Sequence, residues 1–305
     1  MNSDDSARGR ADVFFGDLAV EYHDRYLLED FDLTKAYPGN RIRFDIFQRL
    51  LDRQPPTAII DAGCGSATPM LQLLNAGFDV HGFDPSEKMV AEGQVTLDKG
   101  GYEPDRVFRA DLAQIETIPG EHLSRYDCLT AMGVLSYIRD ETSALATVRQ
   151  LLRPDGRFIF SLRNELLSLF SQNHYTSRLM LDKLVPVERL PNDLRERFEA
   201  DLVDKYPKPA SPSDETLKKI DDQGVWSRYH NPLEIPRWLS VNGFEVLGIY
   251  YYHFHPLPPI YERLDPILFR EIALEMEDPT DWRGMFLSSA FVVDAVRVDG
   301  GPHDE

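Results

Sequence analysis

The 305-residue chain contains little cysteine and no long apolar run. Its two cysteines, Cys64 and Cys128, cannot supply the disulfide framework of a small secreted domain, so the composition indicates a reducing compartment. No apolar stretch approaches the roughly 20 residues of a membrane span. The opening residues MNSDDSARGR lack the apolar centre of a signal peptide. We therefore expect a cytoplasmic protein with no membrane partner.

The chain also lacks any run rich in lysine and arginine. It has 51 acidic against 33 basic side chains, which gives a formal net charge of −18. A nucleic acid would have to approach this acidic protein without a basic surface to receive it. We therefore expect a small-molecule partner and no nucleic acid. The sequence pattern does not indicate an oligomeric state.

The most informative segment runs from Thr57 to Leu74, with the sequence TAIIDAGCGSATPMLQLL. An apolar β-type run ends at Asp61 and passes into a glycine turn, which leads into a segment with helical periodicity. Gly63 and Gly65 have no Cβ, so a ligand can lie against the backbone there. The amides that open the following helix attract an anionic group. The segment predicts a strand, a ligand-binding loop and a helix.

The residues around the glycines favour one kind of cofactor. A dinucleotide site requires GxGxxG, and here the third glycine is replaced by Ala67. Asp61 would repel a pyrophosphate but suits an ammonium group. The segment DAGCGSA resembles the first motif of the class I S-adenosylmethionine-dependent methyltransferases, an acidic residue followed by xGxGxG. The resemblance implies that Asp61, Gly63 and Gly65 contact S-adenosylmethionine. For Ala67 we expect ordinary helical geometry.

Two further predicted strands end in an aspartate. FDVHGFD ends at Asp84, 19 residues after Gly65, where a carboxylate accepts hydrogen bonds from both ribose hydroxyls. VFRAD ends at Asp111, and the resemblance implies that this acid binds the adenine amino group, with Leu112 beside it. Three successive strand ends that carry aspartate favour a single cofactor site.

Two more segments match motifs of the same family. DPSEKM resembles its second motif; we interpret Ser86 as a helix cap, and Met89 either as core filler or as a neighbour of the adenine. The strand YDCLTAM ends at Met132, which we also assign to the cofactor. The segment GVLSYI resembles the family's xVLEHI, with Ser136 and Tyr137 where glutamate and histidine are frequent. A mechanism that uses that histidine as base is therefore not carried over.

The order of predicted elements indicates an α/β fold. Strand and helix alternate five times from Thr57 to Leu162, which predicts an open, doubly wound, mainly parallel sheet with its crevice at the carboxyl ends of the strands. Strands at Phe244–Phe254 and Met285–Val298 would complete the seven-stranded, Rossmann-like methyltransferase sheet. We divide the chain into an N-terminal helical arm or cap (1–50), the cofactor-binding core (51–163), a lid or acceptor insertion (164–228), the C-terminal part of the core (229–299) and a tail (300–305).

The N-terminal arm allows two interpretations. Its aromatic and aliphatic residues recur at helical spacing, as expected for helices packed on the edge of a sheet. Alternatively the arm caps the cofactor pocket, with Tyr22, Tyr26, Arg41 or Arg43 reaching the cofactor carboxylate or the acceptor. Arginine suits a carboxylate because its two-pronged guanidinium binds both oxygens. Of these residues we assign Tyr22 and Arg41 to the cofactor.

Candidates for acceptor chemistry lie in the C-terminal half. The densest polar and aromatic cluster comprises Arg163, Asn164, Asn173, His174 and Tyr175. A hydroxyl acceptor needs a base, for which His230, His253, His255 and Tyr175 are our candidates, since imidazole titrates near neutral pH. His253 and His255 stand two apart on a strand and could face one metal ion. No acidic partner motif accompanies them, so we expect no metal.

These patterns together predict methyl transfer from S-adenosylmethionine to a small molecule. The segments HNP (230–232) and HFHP (253–256) resemble methyltransferases of bacterial surface-polysaccharide and other small-metabolite pathways, which favours the hydroxyl of a sugar or another metabolite. Alternatives are N-methylation of a small amine or amino-acid-derived metabolite, and cofactor binding without catalysis. In each catalytic case the main task is alignment of acceptor, methyl and sulfur.

Overall fold

The computed structural model describes residues 33–206 and 227–298, and these form one seven-stranded sheet. The strands are β1 (Ile59–Ala62), β2 (Val80–Asp84), β3 (Val107–Arg109), β4 (Tyr126–Ala131), β5 (Leu152–Arg163), β6 (Phe244–Phe254) and β7 (Ser288–Arg297). Their order is β3-β2-β1-β4-β5-β7-β6. The first five strands are mutually parallel, whereas β7 is antiparallel to both β5 and β6. The predicted fold class is confirmed.

Helices connect the strands and cover the sheet. They are α1 (Gly39–Arg53), α2 (Thr68–Asn75), α3 (Glu87–Lys99), α4 (Glu141–Leu151), α5 (Leu167–Ser171), α6 (His174–Leu179), α7 (Asn192–Lys205), α8 (Ile235–Ser240), α9 (Pro266–Glu275) and α10 (Gly284–Leu287). Within the described residues, none of these helices has the length and apolar character needed to cross a bilayer.

Two apolar cores lie on opposite faces of the sheet, because successive strand residues point to opposite sides. On β5, Phe158 and Phe160 belong to the core that α4 covers, while Ile159 between them belongs to the core that α1, α2 and α3 cover. All three side chains are fully buried. Because the five parallel strands are buried on both faces, their sequences are nearly continuous apolar runs.

Helix α1 has a fixed direction across the sheet. Near its C-terminal end, the carbonyl of Leu50 accepts a hydrogen bond of 3.0 Å from Nη1 of Arg157 on β5, which lies opposite Cys128 near the amino end of β4. Arg157 is also paired with buried Asp294 on β7, at 2.7 Å and 3.1 Å. The first turn of α1 therefore lies at the opposite edge, where β1 to β6 end. We call this the carboxyl edge.

Several element boundaries lie at residues whose type suits them. Gly77 follows α2 with a φ of +94°, and Gly243 precedes β6 with a φ of +77°, conformations that glycine adopts at little cost. Ser86 caps α3, with its side chain accepting a hydrogen bond from the Met89 amide. The cap at Ser86 is the one that the sequence indicated.

The insertion after β5 is largely helical in its described part. The sequence assigned residues 164–228 to a lid or acceptor insertion without predicting its elements, and α5, α6 and α7 occupy much of what is described, with a π-helical turn at Met180–Leu184. In α7, Leu202 is the buried residue. A helix that buries so little has a weak periodic pattern, which explains why its sequence did not predict it.

Candidate functional site

The glycine turn after β1 is built as the motif predicted. The Phe83 carbonyl on β2 accepts hydrogen bonds from the amides of Gly63 and Cys64, at 2.7 Å and 3.0 Å. Gly63 and Gly65 have φ values of +69° and +54°. A Cβ added to Gly63 would lie 2.4 Å from Cγ2 of Val134, whereas one added to Gly65 would meet only the Met89 sulfur, at 3.8 Å. The backbone is therefore closely packed at Gly63 and open for a ligand at Gly65.

Ala67 does not have the ordinary helical geometry that we expected. It precedes α2 with a φ of +59° and is fully buried. The turn requires the left-handed conformation at the position of the missing third glycine, and the alanine adopts it at a cost of roughly 1 kcal/mol. The Ala67 methyl lies close to Gly93 on α3, where an added Cβ would approach it to 3.3 Å. The motif's geometry is thus retained without its third glycine.

Asp61 is a buried carboxylate at the end of β1. Its side chain is 2% exposed and accepts a 2.7 Å hydrogen bond from the Thr130 hydroxyl on β4. Burial raises the pKa of Asp61 to about 7; the Thr130 bond and the Arg43 charge oppose this rise, and the Asp84 charge adds to it. An ammonium group placed beside Asp61 would favour its charged form. This carboxylate fits the amino group of the cofactor.

Asp84 fixes the turn through both of its oxygens. Oδ2 accepts a 3.0 Å hydrogen bond from the Gly65 amide, and Oδ1 accepts a 2.9 Å bond from the Ser86 amide. Carboxylate oxygens accept more than one hydrogen bond each, so a ribose diol could add to this arrangement. Asp84 is 9% exposed, as expected of a side chain that lines a cleft rather than an open surface.

The other predicted cofactor residues follow β3 and β4 or lie beside the turn. Asp111 is partly buried, and its Oδ1 accepts a 2.8 Å hydrogen bond from the Ala113 amide. Leu112 and Met89 are buried, each 3% exposed, and Met132 is half-buried. Because β3, β2 and β1 are adjacent and parallel, the three aspartates lie along one stretch of the carboxyl edge.

Arg41, which we had assigned to the cofactor, points away from this stretch. Its side chain is 46% exposed and pairs with Asp45 at 3.0 Å. Arg43 is on the opposite face of α1 and is buried, 8% exposed. A Cβ added to Gly133, just after β4, would lie 2.7 Å from its Nη1. Arg43, the alternative named from sequence, therefore lies beside the turn after β4, and its charge acts on Asp61, while Tyr22 and Tyr26 lie outside the described residues.

His230 is enclosed rather than turned toward an open site. Its Nε2 lies 2.7 Å from Oε1 of Glu141, the first residue of α4, and its Nδ1 is buried. Oε2 of Glu141 accepts a 2.6 Å hydrogen bond from Arg228. The His230 backbone also bonds to Arg163 and Glu165. These contacts tie the chain that returns from the insertion to the sheet, so the geometry favours a structural role for His230 over that of a base.

His253 and His255 lie together at the carboxyl end of β6. Their rings stack with centroids 4.9 Å apart, and His253 also stacks on Tyr37 at 4.4 Å. His253 has a φ of +62° and is half-buried. His255 is buried, and burial together with the neighbouring His253 holds its pKa well below the usual value. His255 is thus a neutral, enclosed ring, whereas His253 is partly accessible.

Tyr37 adds a polar contact that the sequence did not reveal. Its hydroxyl donates a short hydrogen bond to Oε1 of Glu277, which also accepts a 2.9 Å bond from the Phe254 amide. Burial raises the pKa of Glu277, and these hydrogen bonds limit the rise. In the described ranges, no three His, Cys, Asp or Glu side chains are grouped as a metal site. The contacts of Tyr37 with Glu277 and His253 join the start of α1 to the end of β6.

The polar cluster predicted near residue 170 divides into two parts. Asn164 is buried and donates to the carbonyls of Met285 and Ser288, and Asn173 caps α6. These two are structural. Arg163 instead contacts Tyr137 and Tyr229, and Tyr175 lies 5.9 Å from Tyr229 between ring centroids. His174 packs against Tyr175 at 4.0 Å.

Tyr137 and Tyr229 were not among our candidate site residues. A signal for Tyr137 was present, because it occupies the position where the family motif has histidine. Tyr229 gave no such signal: the Arg163–Tyr229 contact joins residues far apart in sequence, which no local pattern reports.

The sheet order with β7 between β5 and β6, the left-handed glycine turn and the row of strand-end aspartates define one class of protein, the S-adenosylmethionine-dependent methyltransferases. The sequence model of a family described as "Methyltransferase domain" matches residues 37–247. This match extends over more than half of the chain, and the chain belongs to that family.

The relatives found by sequence include ubiquinone biosynthesis O-methyltransferases. The protein of that name from Aromatoleum aromaticum is 31% identical over 106 residues, which cover 35% of this chain and 44% of the relative. The one from Leptothrix cholodnii is 24% identical over 233 residues, 75% of this chain and 89% of the relative. In the first matches, the chain spans about half the length of the curated relatives.

A solved structure gives the same fold. The 1,6-didemethyltoxoflavin-N1-methyltransferase of Burkholderia thailandensis, with 1,6-didemethyltoxoflavin and S-adenosylhomocysteine bound, superposes with a TM-score of 0.51 at 16% identity. The superposition covers 98% of this chain and 92% of the other. At this identity the likeness concerns the fold alone.

Proposed function

We propose that this protein transfers a methyl group from S-adenosylmethionine to a hydroxyl of a small-molecule metabolite. The observation that carries the proposal is Asp61, a carboxylate buried at the carboxyl edge next to the open backbone of Gly65. A carboxylate that is this deeply buried needs a cation to hold its charge. The ammonium group of S-adenosylmethionine supplies one.

The remaining contacts would hold the rest of the cofactor. Asp84 would accept the ribose hydroxyls, Asp111 and Met89 would lie toward the adenine, and Arg43 would face the carboxylate. When bound, S-adenosylmethionine supplies a methyl group activated by the sulfonium charge. The protein's part is alignment of the acceptor with that methyl and exclusion of water, which together account for much of the acceleration in such displacements.

A hydroxyl acceptor is supported by the relatives, whose names describe O-methyltransferases of ubiquinone biosynthesis. A sugar hydroxyl and a hydroxyl on an aromatic ring are both compatible with this support.

The acceptor hydroxyl must lose its proton, and His253 and Tyr175 are the two candidate bases that are partly accessible. N-methylation, and cofactor binding without catalysis, are the alternatives that the experiment below separates. A reducing, cytoplasmic location is part of the proposal, and the two cysteines, both buried free thiols, support it.

The test is a screen with methyl-labelled S-adenosylmethionine against pools of sugars, phenols and amines. We expect the labelled methyl to be attached to an oxygen atom that was a hydroxyl of the acceptor. The Asp84→Asn variant should transfer much less label. Asp98→Asn, an exposed aspartate on α3, is the matched control and should behave like the wild type. Label found only in amines would contradict O-methylation. Cofactor binding without transfer to any pool would favour the non-catalytic alternative.

A further inference from the structure

Arg163, the last residue of β5, lies in an unusual polar environment. Its Nη2 donates a 2.8 Å hydrogen bond to the Tyr137 hydroxyl, and its Nη1 donates a 3.3 Å bond to the Ser227 hydroxyl. The guanidinium carbon lies 5.4 Å and 5.7 Å from the ring centroids of Tyr137 and Tyr229. Two hydroxyl acceptors and two aromatic rings thus surround one cation.

This cation has no carboxylate partner within residues 33–206 and 227–298. The contrast with other arginines of the sheet region is clear: Arg157 pairs with Asp294, and Arg228 pairs with Glu141. A partly buried cation without a counter-charge is costly, and contact with aromatic rings offsets only part of that cost. The described side chains therefore leave an excess of positive charge at Arg163.

The donors that remain suit an anion. A guanidinium has five N–H groups, and the hydrogen bonds to Tyr137 and Ser227 use two of them. The Ser227 hydroxyl accepts from Arg163 and keeps its own O–H as a donor. A planar guanidinium with a neighbouring hydroxyl donor matches the geometry of a carboxylate or a phosphate. Arg163 is only partly buried, so a ligand can reach it.

The position of this group places it beside the cofactor site. Tyr137 follows Val134 by three residues, and Val134 packs against Gly63 of the glycine turn. On the other side, Tyr229 approaches Tyr175 of the insertion. The Arg163 group therefore lies on the carboxyl edge between the glycine turn and the insertion, where an acceptor would bind.

We propose that Arg163, Tyr137, Tyr229 and Ser227 form a subsite for an anionic group of the methyl acceptor, a carboxylate or a phosphate. This inference rests on the proposed function and specifies its substrate class: the acceptor carries a negative charge at a distance from the hydroxyl that is methylated.

The test uses the full chain saturated with S-adenosylhomocysteine and titrated with three probes in a calorimeter. The probes are benzoate, phenyl phosphate and the neutral analogue benzamide. We expect at least one of the two anions to bind ten or more times as tightly as benzamide, and the tighter one identifies the anionic group. Arg163→Gln should remove this preference. Arg178→Gln, which alters an exposed arginine of α6, should leave it intact.

The outcomes separate the two proposals. If S-adenosylhomocysteine itself fails to bind, the proposed function fails. If it binds but neither anion binds more tightly than benzamide, or if Arg163→Gln keeps the preference, the anionic subsite is wrong. Should Arg163→Gln not fold, Tyr137→Phe and Ser227→Ala test the same point, because each removes one hydroxyl. We expect each to reduce the preference several-fold, and an unchanged preference in both would also overturn the subsite.

Discussion

At the scale of single residues, we propose that the charge on Asp61 governs cofactor binding. Its pKa is raised from about 3.8 to about 7 by burial, so the folded protein without cofactor binds a proton that the unfolded chain releases. The resulting stability is present below pH 4 and is lost as the pH rises through 7. Above pH 7 the cost of the buried charge is roughly 4 kcal/mol, from 1.36 kcal/mol per pKa unit.

The first prediction concerns the stability of the Asp61→Asn variant. The amide accepts the Thr130 hydrogen bond without a charge, so the cofactor-free variant should unfold at a higher denaturant concentration than the wild type at pH 8. Near pH 4 the two proteins should be alike. Urea unfolding at both pH values is the measurement. If the Asp61→Asn variant is less stable than the wild type by the same amount at both pH values, the charge on Asp61 does not destabilise the folded protein.

The second prediction concerns the affinity for S-adenosylmethionine. Asp61 must be ionised to pair with the ammonium group, so affinity should increase by up to about tenfold per pH unit between pH 5.5 and 6.5 and level off near 7. Calorimetric titration over this range measures it. The Asp61→Asn variant should bind weakly at every pH, and a flat wild-type profile would contradict the assignment.

The third prediction concerns the close packing at Gly63. The Gly63→Ala variant adds a Cβ 2.4 Å from Val134 at a positive φ, and we expect a loss of about 2–4 kcal/mol from overpacking and backbone strain. In a double-mutant cycle, Val134→Ala should recover part of this loss. If the stability losses of the two single variants simply add in the double variant, contact with Val134 is not the reason that Gly63→Ala is destabilising.

At the scale of elements, α1 carries a buried arginine, Arg43. The sequence named Arg41 and Arg43 as alternatives, and its pattern alone does not decide between them. Arg41 and Arg43 are two residues apart and so face opposite sides of a helix, but periodicity does not say which side lies toward a cofactor. That depends on how α1 crosses β5 and β7. The buried Arg157–Asp294 pair and the Leu50 carbonyl fix this crossing.

The fourth prediction compares these two arginines. Arg43 lowers the pKa of Asp61, so in the Arg43→Gln variant the pH at which the affinity for S-adenosylmethionine levels off should move above 7. The affinity itself should fall about tenfold at neutral pH, as expected for loss of a charge-assisted contact. Arg41→Gln, on the exposed face, should change both quantities less than twofold. Equal effects in the two variants would remove Arg43 from the site.

The elements that the sequence predicted are those with local signals. The three aspartates end apolar runs, and Gly77, Ser86 and Gly243 mark helix boundaries by residue type. Other features depend on tertiary contacts. Ala67 takes a left-handed conformation because the turn requires it, and α7 buries too little to leave a clear pattern.

At the scale of the whole molecule, parallel strands bring distant residues to one edge. Asp61 is the penultimate residue of β1, Asp84 ends β2 and Asp111 follows β3 by two residues, so the predicted topology was sufficient to place them together. The group around Arg163 joins residues from the end of β5, the turn after β4 and the chain after the insertion. That contact follows from the packing of the insertion on the sheet, which no sequence period encodes.

The most direct measurement of the central claim is calorimetric titration of the wild type with S-adenosylmethionine and with NAD at pH 7.5. We expect one site for S-adenosylmethionine, no measurable binding of NAD, and a 10- to 100-fold loss of affinity in Asp84→Asn with none in Asp98→Asn, as for a hydrogen bond to a charged group. Binding of NAD in preference to S-adenosylmethionine, or equal affinities in the two variants, would contradict the claim that the strand-end aspartates hold this cofactor.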